Sequence, residues 1–164
     1  MSTEISTLVE ELADAIGGRN LTFAIAESCT GGMLCSALVA NPDVSGALER
    51  GLIVYSTDSK CELLGIDRVE VEACKGVSSH IASGMAKATL ILSHADLAVA
   101  ITGFAGPQLE EEEVGLVHMA LARRDGAVQQ RAHHFGDIGR EAVCQHTVVA
   151  ALELMIEAAK TMDA

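Results

Sequence analysis

The chain has 164 residues, 49% hydrophobic and 21% charged, which suits one globular domain with a sizeable core and rules out a disordered or collagen-like chain. Only 2% is aromatic and there is no tryptophan, so Val, Ile, Leu, Ala and Met must fill the interior. Eleven basic against 23 acidic residues give a formal charge of −12, which argues against a broad nucleic-acid surface, since that needs clustered cations and stacking side chains. In chain order, Ile5, Leu8, Val9, Leu12, Ala13 and Ile16 recur at helical spacing, and Gly17-Gly18 ends that helix. Residues 21–26 suit a short buried strand, residues 27–32 a loop, and residues 33–40 a helix entered from it. Asn41-Pro42-Asp43 reads as a turn and residues 52–55 as a second strand. Ser56, Thr57 and Asp58 are cap candidates for a helix running to Leu64. Residues 78–93 form a further helix, and residues 96–102 a third strand. Residues 114–122 and 127–135 flank an Asp125-Gly126 hairpin turn, and residues 140–160 make a long amphipathic helix.

This order predicts a single α/β domain over residues 1–164, a three-layer α/β/α sandwich with a mixed sheet. Residues 1–11 carry three glutamates and lack the basic and apolar regions of a signal peptide. The longest uninterrupted apolar runs, such as residues 97–101, have strand length. No membrane span and a cytoplasmic location are therefore expected. The five cysteines are scattered and the six histidines show no ligand spacing, so reduced thiols and no metal or other cofactor are expected. His133 and His134 adjoin on a strand, so at most one points inward.

Three loops hold chemistry. Ser28-Cys29-Thr30-Gly31-Gly32 supplies a hydroxyl, a thiol and backbone N–H groups at a helix start, which suit an oxyanion or a phosphate. Thr102-Gly103-Phe104-Ala105-Gly106 follows another strand end, where α/β sheets bind ligands. In the third loop Lys60 falls in the first turn of a helix, a poor place for a cation. Beside Ser28, and with its pKa lowered from about 10.4 by burial, it would take the hydroxyl proton. A capping turn and a solvated lysine are the plain alternatives. Glu27 holds Lys60, caps the helix or is simply solvated, and Cys29 is a second candidate nucleophile.

Taken together, Ala26-Glu27-Ser28-Cys29-Thr30-Gly31-Gly32, Tyr55-Ser56 with Lys60 and Leu63-Leu64-Gly65, Gly76-Val77-Ser78, and Ala98-Val99-Ala100-Ile101-Thr102-Gly103 with Ala105-Gly106-Pro107 closely resemble the CinA C-terminal domain family. The likeness runs from about residue 8 to residue 154, and the chain reads as a stand-alone form of that domain. The resemblance implies an amidase that hydrolyses nicotinamide mononucleotide to nicotinic acid mononucleotide and ammonia. It implies Ser28 as nucleophile, Lys60 as its base and Tyr55 as an orienting or proton-donating group. It implies Thr30, Gly31, Gly32, Thr102 and Gly103 around the amide and phosphate. Gly136-Asp137-Ile138-Gly139-Arg140 resembles the family's Gly-Asp-Arg with two residues inserted, which makes Arg140 the phosphate clamp. Two departures remove positive charge. Gln108-Leu109-Glu110-Glu111-Glu112-Glu113 stands where the family has glycines and a Lys-Pro pair, and Cys144 stands where it has a second arginine. The four glutamates are expected to form a solvated loop pointing away from the site. Their charge leaves a second reading, a catalytically weak nucleotide-binding or regulatory module. A small nucleotide is the expected partner, with neither nucleic acid nor membrane, in a homo-oligomer.

Overall fold

The computed structural model describes residues 2–162. Five strands, β1 (Phe23–Glu27), β2 (Leu48–Ile53), β3 (Leu97–Gly103), β4 (Leu116–Arg123) and β5 (Val128–His134), form one sheet in the order β2-β1-β3-β4-β5. β1 runs parallel to β2 and β3, while β4 is antiparallel to β3 and β5. The helices are α1 (Thr3–Ile16), α2 (Met33–Val39), α3 (Pro42–Ser45), α4 (Thr57–Leu64), α5 (Arg68–Ala73), α6 (Ser79–Ile91) and α7 (Arg140–Thr161). α1, α2, α3 and α7 cover one face of the sheet, and α4, α5 and α6 the other. The expected α/β/α sandwich with a mixed sheet is the observed fold.

Strand alternation divides the core unequally. Phe23 and Ile25 of β1, Leu97, Val99 and Ile101 of β3, and Val117, Met119 and Leu121 of β4 all point towards α1 and α7. On the opposite face the same strands present Ala24, Ala26, Ala98, Ala100, Ala120 and Ala122. Large side chains therefore fill one layer, and alanines let α6 lie close on the other. A chain almost without aromatics builds its core from these two layers.

Most elements sit where the hydrophobic pattern puts them. β2 begins four residues earlier than expected, because it is an edge strand whose Glu49 and Arg50 pair with each other at 2.5 Å and interrupt the apolar signal. The Asn41-Pro42-Asp43 turn opens a single helical turn: the Asn41 side chain accepts from the Asp43 amide at 2.8 Å and proline takes the first position. α5 has no counterpart in the sequence reading, since only Val71 of its six residues is buried and no periodicity develops. His133 is half-buried and stacks on Phe135 at 5.3 Å, while His134 faces solvent beside Glu113 at 2.5 Å.

Among the described residues, α7 is long and apolar enough by composition to span a bilayer, with a mean hydropathy of 1.3 over its most apolar stretch. Of that stretch, 67% is buried within the fold, so its apolar residues serve the core. Arg19 ties the C-terminal ends of α1 and α7 together, donating to the carbonyls of Ile16, Ala159 and Met162 at 2.8–2.9 Å.

Candidate active site

The carboxyl ends of the parallel strands β1, β2 and β3 converge at one edge of the sheet, as the position of a ligand crevice in an open α/β fold requires. Ser28 follows β1 directly, and its amide donates to Ile101 of β3 at 3.0 Å, which fixes the backbone there. Lys60 lies one turn into α4, whose start is capped by the Ser56 hydroxyl accepting from the Ser59 amide at 3.0 Å. Its side chain turns inward until only 3% of the residue is exposed. The amine stands 2.9 Å from Ser28 Oγ, 2.9 Å from the Val54 carbonyl and 3.3 Å from the Tyr55 carbonyl. A neutral amine has two N–H groups and one lone pair. Two carbonyls and one hydroxyl accept the three N–H groups of an ammonium, and they equally suit a neutral amine once the serine O–H turns towards its lone pair. Burial pushes the Lys60 amine below the ordinary lysine value, with the nearby thiols Cys29, Cys61 and Cys74 pulling weakly the other way. The stem passes close to Gly76, where a Cβ would stand 3.3 Å from Lys60 Cε at a backbone φ of +73°. Glycine there gives the lysine its passage.

Glu27, at the end of β1, is fully buried. One carboxylate oxygen accepts from the Thr30 hydroxyl at 2.5 Å and from the Gly32 and Leu34 amides at 3.0 and 3.2 Å, and the other accepts from the Cys35 amide at 2.9 Å. Of the three readings of Glu27, the structure assigns helix capping, since it is neither solvated nor paired with Lys60: it satisfies the orphan donors of α2 from the preceding strand. The N–H groups expected to meet an oxyanion or phosphate are thereby occupied. Gly31 donates to the Ser28 carbonyl at 3.1 Å. Thr30, Gly31 and Gly32 hold the shape of the loop after Ser28 from outside the cleft lining.

Above Ser28 and Lys60 lies a cleft of about 210 Å³, walled by Tyr55, Thr102, Gly103, Phe104, Arg140 and neighbouring residues. The Thr102 hydroxyl is buried and donates to the Gly76 carbonyl at 2.6 Å, tying the turn before α6 to the end of β3. At Gly103 a Cβ would approach the Leu116 carbonyl oxygen and Val117 Cγ2 at 2.7 Å, so the close β3–β4 contact there admits only glycine. Tyr55 lies beyond β2, exposed at the mouth, and its phenol oxygen accepts from Arg140 Nη2 at 2.7 Å. The other terminal nitrogen of Arg140 donates to the Gly106 carbonyl. The cleft thus unites Ser28, Lys60, Tyr55, Thr102, Gly103 and Arg140.

Two cleft residues escaped the sequence reading. Lys75 lines the same wall, at a φ of +51° that makes it the one non-glycine residue with positive φ among those described. Its amine is bound by Glu110 and, at 3.2 Å, by Glu112. Glu112 also lines the cleft, so the acidic run does not simply point away: Glu112 faces inward and Glu113 pairs with His134. Adjacency of Lys75 to the Gly76-Val77-Ser78 block was the available signal; pairing across 35 residues was not readable from it. Cys144 is buried, its thiol 3.4 Å from the Cys29 carbonyl. Burial, with Cys144 and Glu27 nearby, pushes the Cys29 thiol up to about 12. Cys29 therefore stays a thiol at neutral pH, and Ser28 is the group with a base in contact.

A mixed α/β/α sheet with a buried serine–lysine pair at the parallel strand ends defines the class of protein. The chain belongs to the CinA C-terminal domain family, whose model matches residues 5–159. It is 39% identical over 127 residues, 76% of its length, to the nicotinamide-nucleotide amidohydrolase PncC of Shewanella oneidensis. It is 42% identical over 138 residues, 82% of its length, to a CinA-like protein of Chlorobaculum tepidum. These alignments cover 30% and 33% of the two relatives, so the chain spans about a third of their length. The crystal structure of the competence/damage inducible protein CihA from Agrobacterium tumefaciens superposes with a TM-score of 0.90 at 36% identity, covering 96% of both chains.

Proposed function

We propose that the protein is an amidohydrolase that converts nicotinamide mononucleotide to nicotinic acid mononucleotide and ammonia. The observation that carries this reading is the 2.9 Å contact between Ser28 Oγ and the buried Lys60 amine beneath an open cleft. The similarity to a relative named for this chemistry supports it at the level of substrate.

Ser28 Oγ attacks the carboxamide carbon while its proton passes to Lys60 Nζ. The carbonyl oxygen becomes an oxyanion, for which the backbone N–H groups of Cys29, Ala105 and Gly106 are the candidates, because the α2 amides are spent on Glu27 and the Phe104 amide on the Leu116 carbonyl at 2.9 Å. The C–N bond then breaks, and Lys60 returns the proton to the leaving nitrogen, which departs as ammonia. Water attacks the ester, Lys60 takes its proton, the carbonyl–Oγ bond breaks and Ser28 regains its hydrogen. Arg140 grips the phosphate with a planar guanidinium. Tyr55 accepts from that guanidinium and keeps its own O–H to donate to the ligand, so it orients the clamp.

Ammonia release from nicotinamide mononucleotide tests the reading, with Ser28→Ala as control. Release by the wild type and none by the variant is the expected result. Binding without release would instead favour a nucleotide-binding or regulatory module.

A further inference from the structure

We propose that Lys75 is a second phosphate contact of the cleft and that Glu110 and Glu112 compete with the ligand for it. The proposal deepens the nucleotide reading above and rests on it for the identity of the anion, but its test is a binding measurement.

The two exposed cations of the cleft are partnered differently. Arg140 donates to neutral groups, the Tyr55 phenol and the Gly106 carbonyl, so its positive charge stands ready for an anion. The Lys75 amine lies between two carboxylates, one of which, Glu112, shares the cleft wall and is largely covered. Two carboxylates on one ammonium leave that side of the mouth with a net negative charge. Lys75 takes the left-handed position that closes α5, where its amide donates to the Glu72 carbonyl at 3.3 Å and the Gly76 amide to the Val71 carbonyl at 2.7 Å, and the Gly76 carbonyl is in turn fastened to Thr102. The end of α5 and the Gly76–Thr102 tie thus set the place of this amine on the cleft wall.

An incoming phosphate meets Arg140 first. To gain its second cation it must draw Lys75 from Glu110 and Glu112, leaving two carboxylates unpaired near a dianion. Both the lost pairs and the new repulsion weaken binding. The acidic run therefore acts as a built-in brake on affinity, selective for ligands that carry a phosphate. Glu110 and Glu112 are specificity-determining residues, and Lys75 is the group through which they act.

The experiment is calorimetric titration of ribose 5-phosphate and of ribose into the wild type, Glu110→Gln/Glu112→Gln, and the same double variant with Lys75→Met. Glu110 is exposed and Glu112 largely covered on the same loop, and circular dichroism verifies that each variant is folded. The double variant should bind ribose 5-phosphate about fivefold more tightly than the wild type, the scale of an exposed ion pair. Lys75→Met should cancel that gain, and ribose should show none. Unchanged affinity in the double variant, an equal gain for ribose, a gain that survives Lys75→Met, or no binding of ribose 5-phosphate by any of the three would overturn the proposal. Because no turnover is measured, failure here is separable from absence of ammonia release.

Discussion

The floor of the cleft and its mouth hold their charges by different means. On the floor, Glu27, Ser28 and Lys60 are almost wholly withdrawn from water, and every polar atom has a partner from a strand end or a helix start. At the mouth, Tyr55 and Arg140 are exposed, and Lys75 is held by two carboxylates of a loop. Burial magnifies electrostatics and fixes geometry, whereas exposed pairs are screened and weak. On the proposed function, the floor sets protonation and position, and the mouth sets which ligand enters and how tightly.

Substitutions on the floor should strike the rate constant hardest. Ser28→Ala should lower kcat for ammonia release on the order of 10³-fold or more. Lys60→Met, which keeps the apolar stem but removes the base, should cost about 10²–10⁴-fold in kcat. Equal losses in KM and kcat for these two would break the division between floor and mouth. Glu27→Gln leaves an NH2 group facing backbone donors in a buried site, and should destabilise the fold by about 1–3 kcal/mol in chemical denaturation. Because Glu27 does not line the cleft, its variant should lower kcat with little change in KM. Arg140→Ala should behave in the opposite way, raising KM about tenfold with kcat nearly preserved, as expected for a lost charge-assisted contact. The smallest effect belongs to Cys29→Ala, which should leave kcat/KM close to wild type. Loss of activity there would make the thiol, and not Ser28, the nucleophile.

The floor was far more legible in the sequence than the mouth. Strand-sized apolar runs followed by small and hydroxylated residues mark the ends of β1 and β3, and a lysine misplaced against a helix dipole marks Lys60. These are local signals, and each depends on a few neighbouring residues. The helix-start amides after Ser28 were equally visible, but the residue that consumes them, Glu27, looked equally able to hold Lys60. Only coordinates decide between a cap and an ion pair. At the mouth the determinants are pairings of distant residues: Lys75 with Glu110 and Glu112, and Arg140 with Tyr55. No periodicity encodes these, which is why an acidic run expected to face away contributes Glu112 to the wall. The short helix α5 was lost for a related reason, since one buried residue makes no pattern.

The proposed mechanism requires Lys60 to be a neutral base at the pH of the reaction. A lysine depressed in the fold and near its ordinary value of about 10.4 when unfolded leaves the unfolded chain binding the extra proton between those two values. Stability should therefore rise with pH through that window, and kcat/KM should rise with pH through the folded-state pKa of Lys60 and level off above it. The most direct measurement is titration of Lys60 by NMR of protein labelled at lysine Cε, assigned with Lys60→Met and set beside the kcat/KM profile. The account predicts a midpoint below the ordinary lysine value that coincides with the rise in kcat/KM. A midpoint at or above that value, or two midpoints that do not coincide, would contradict it.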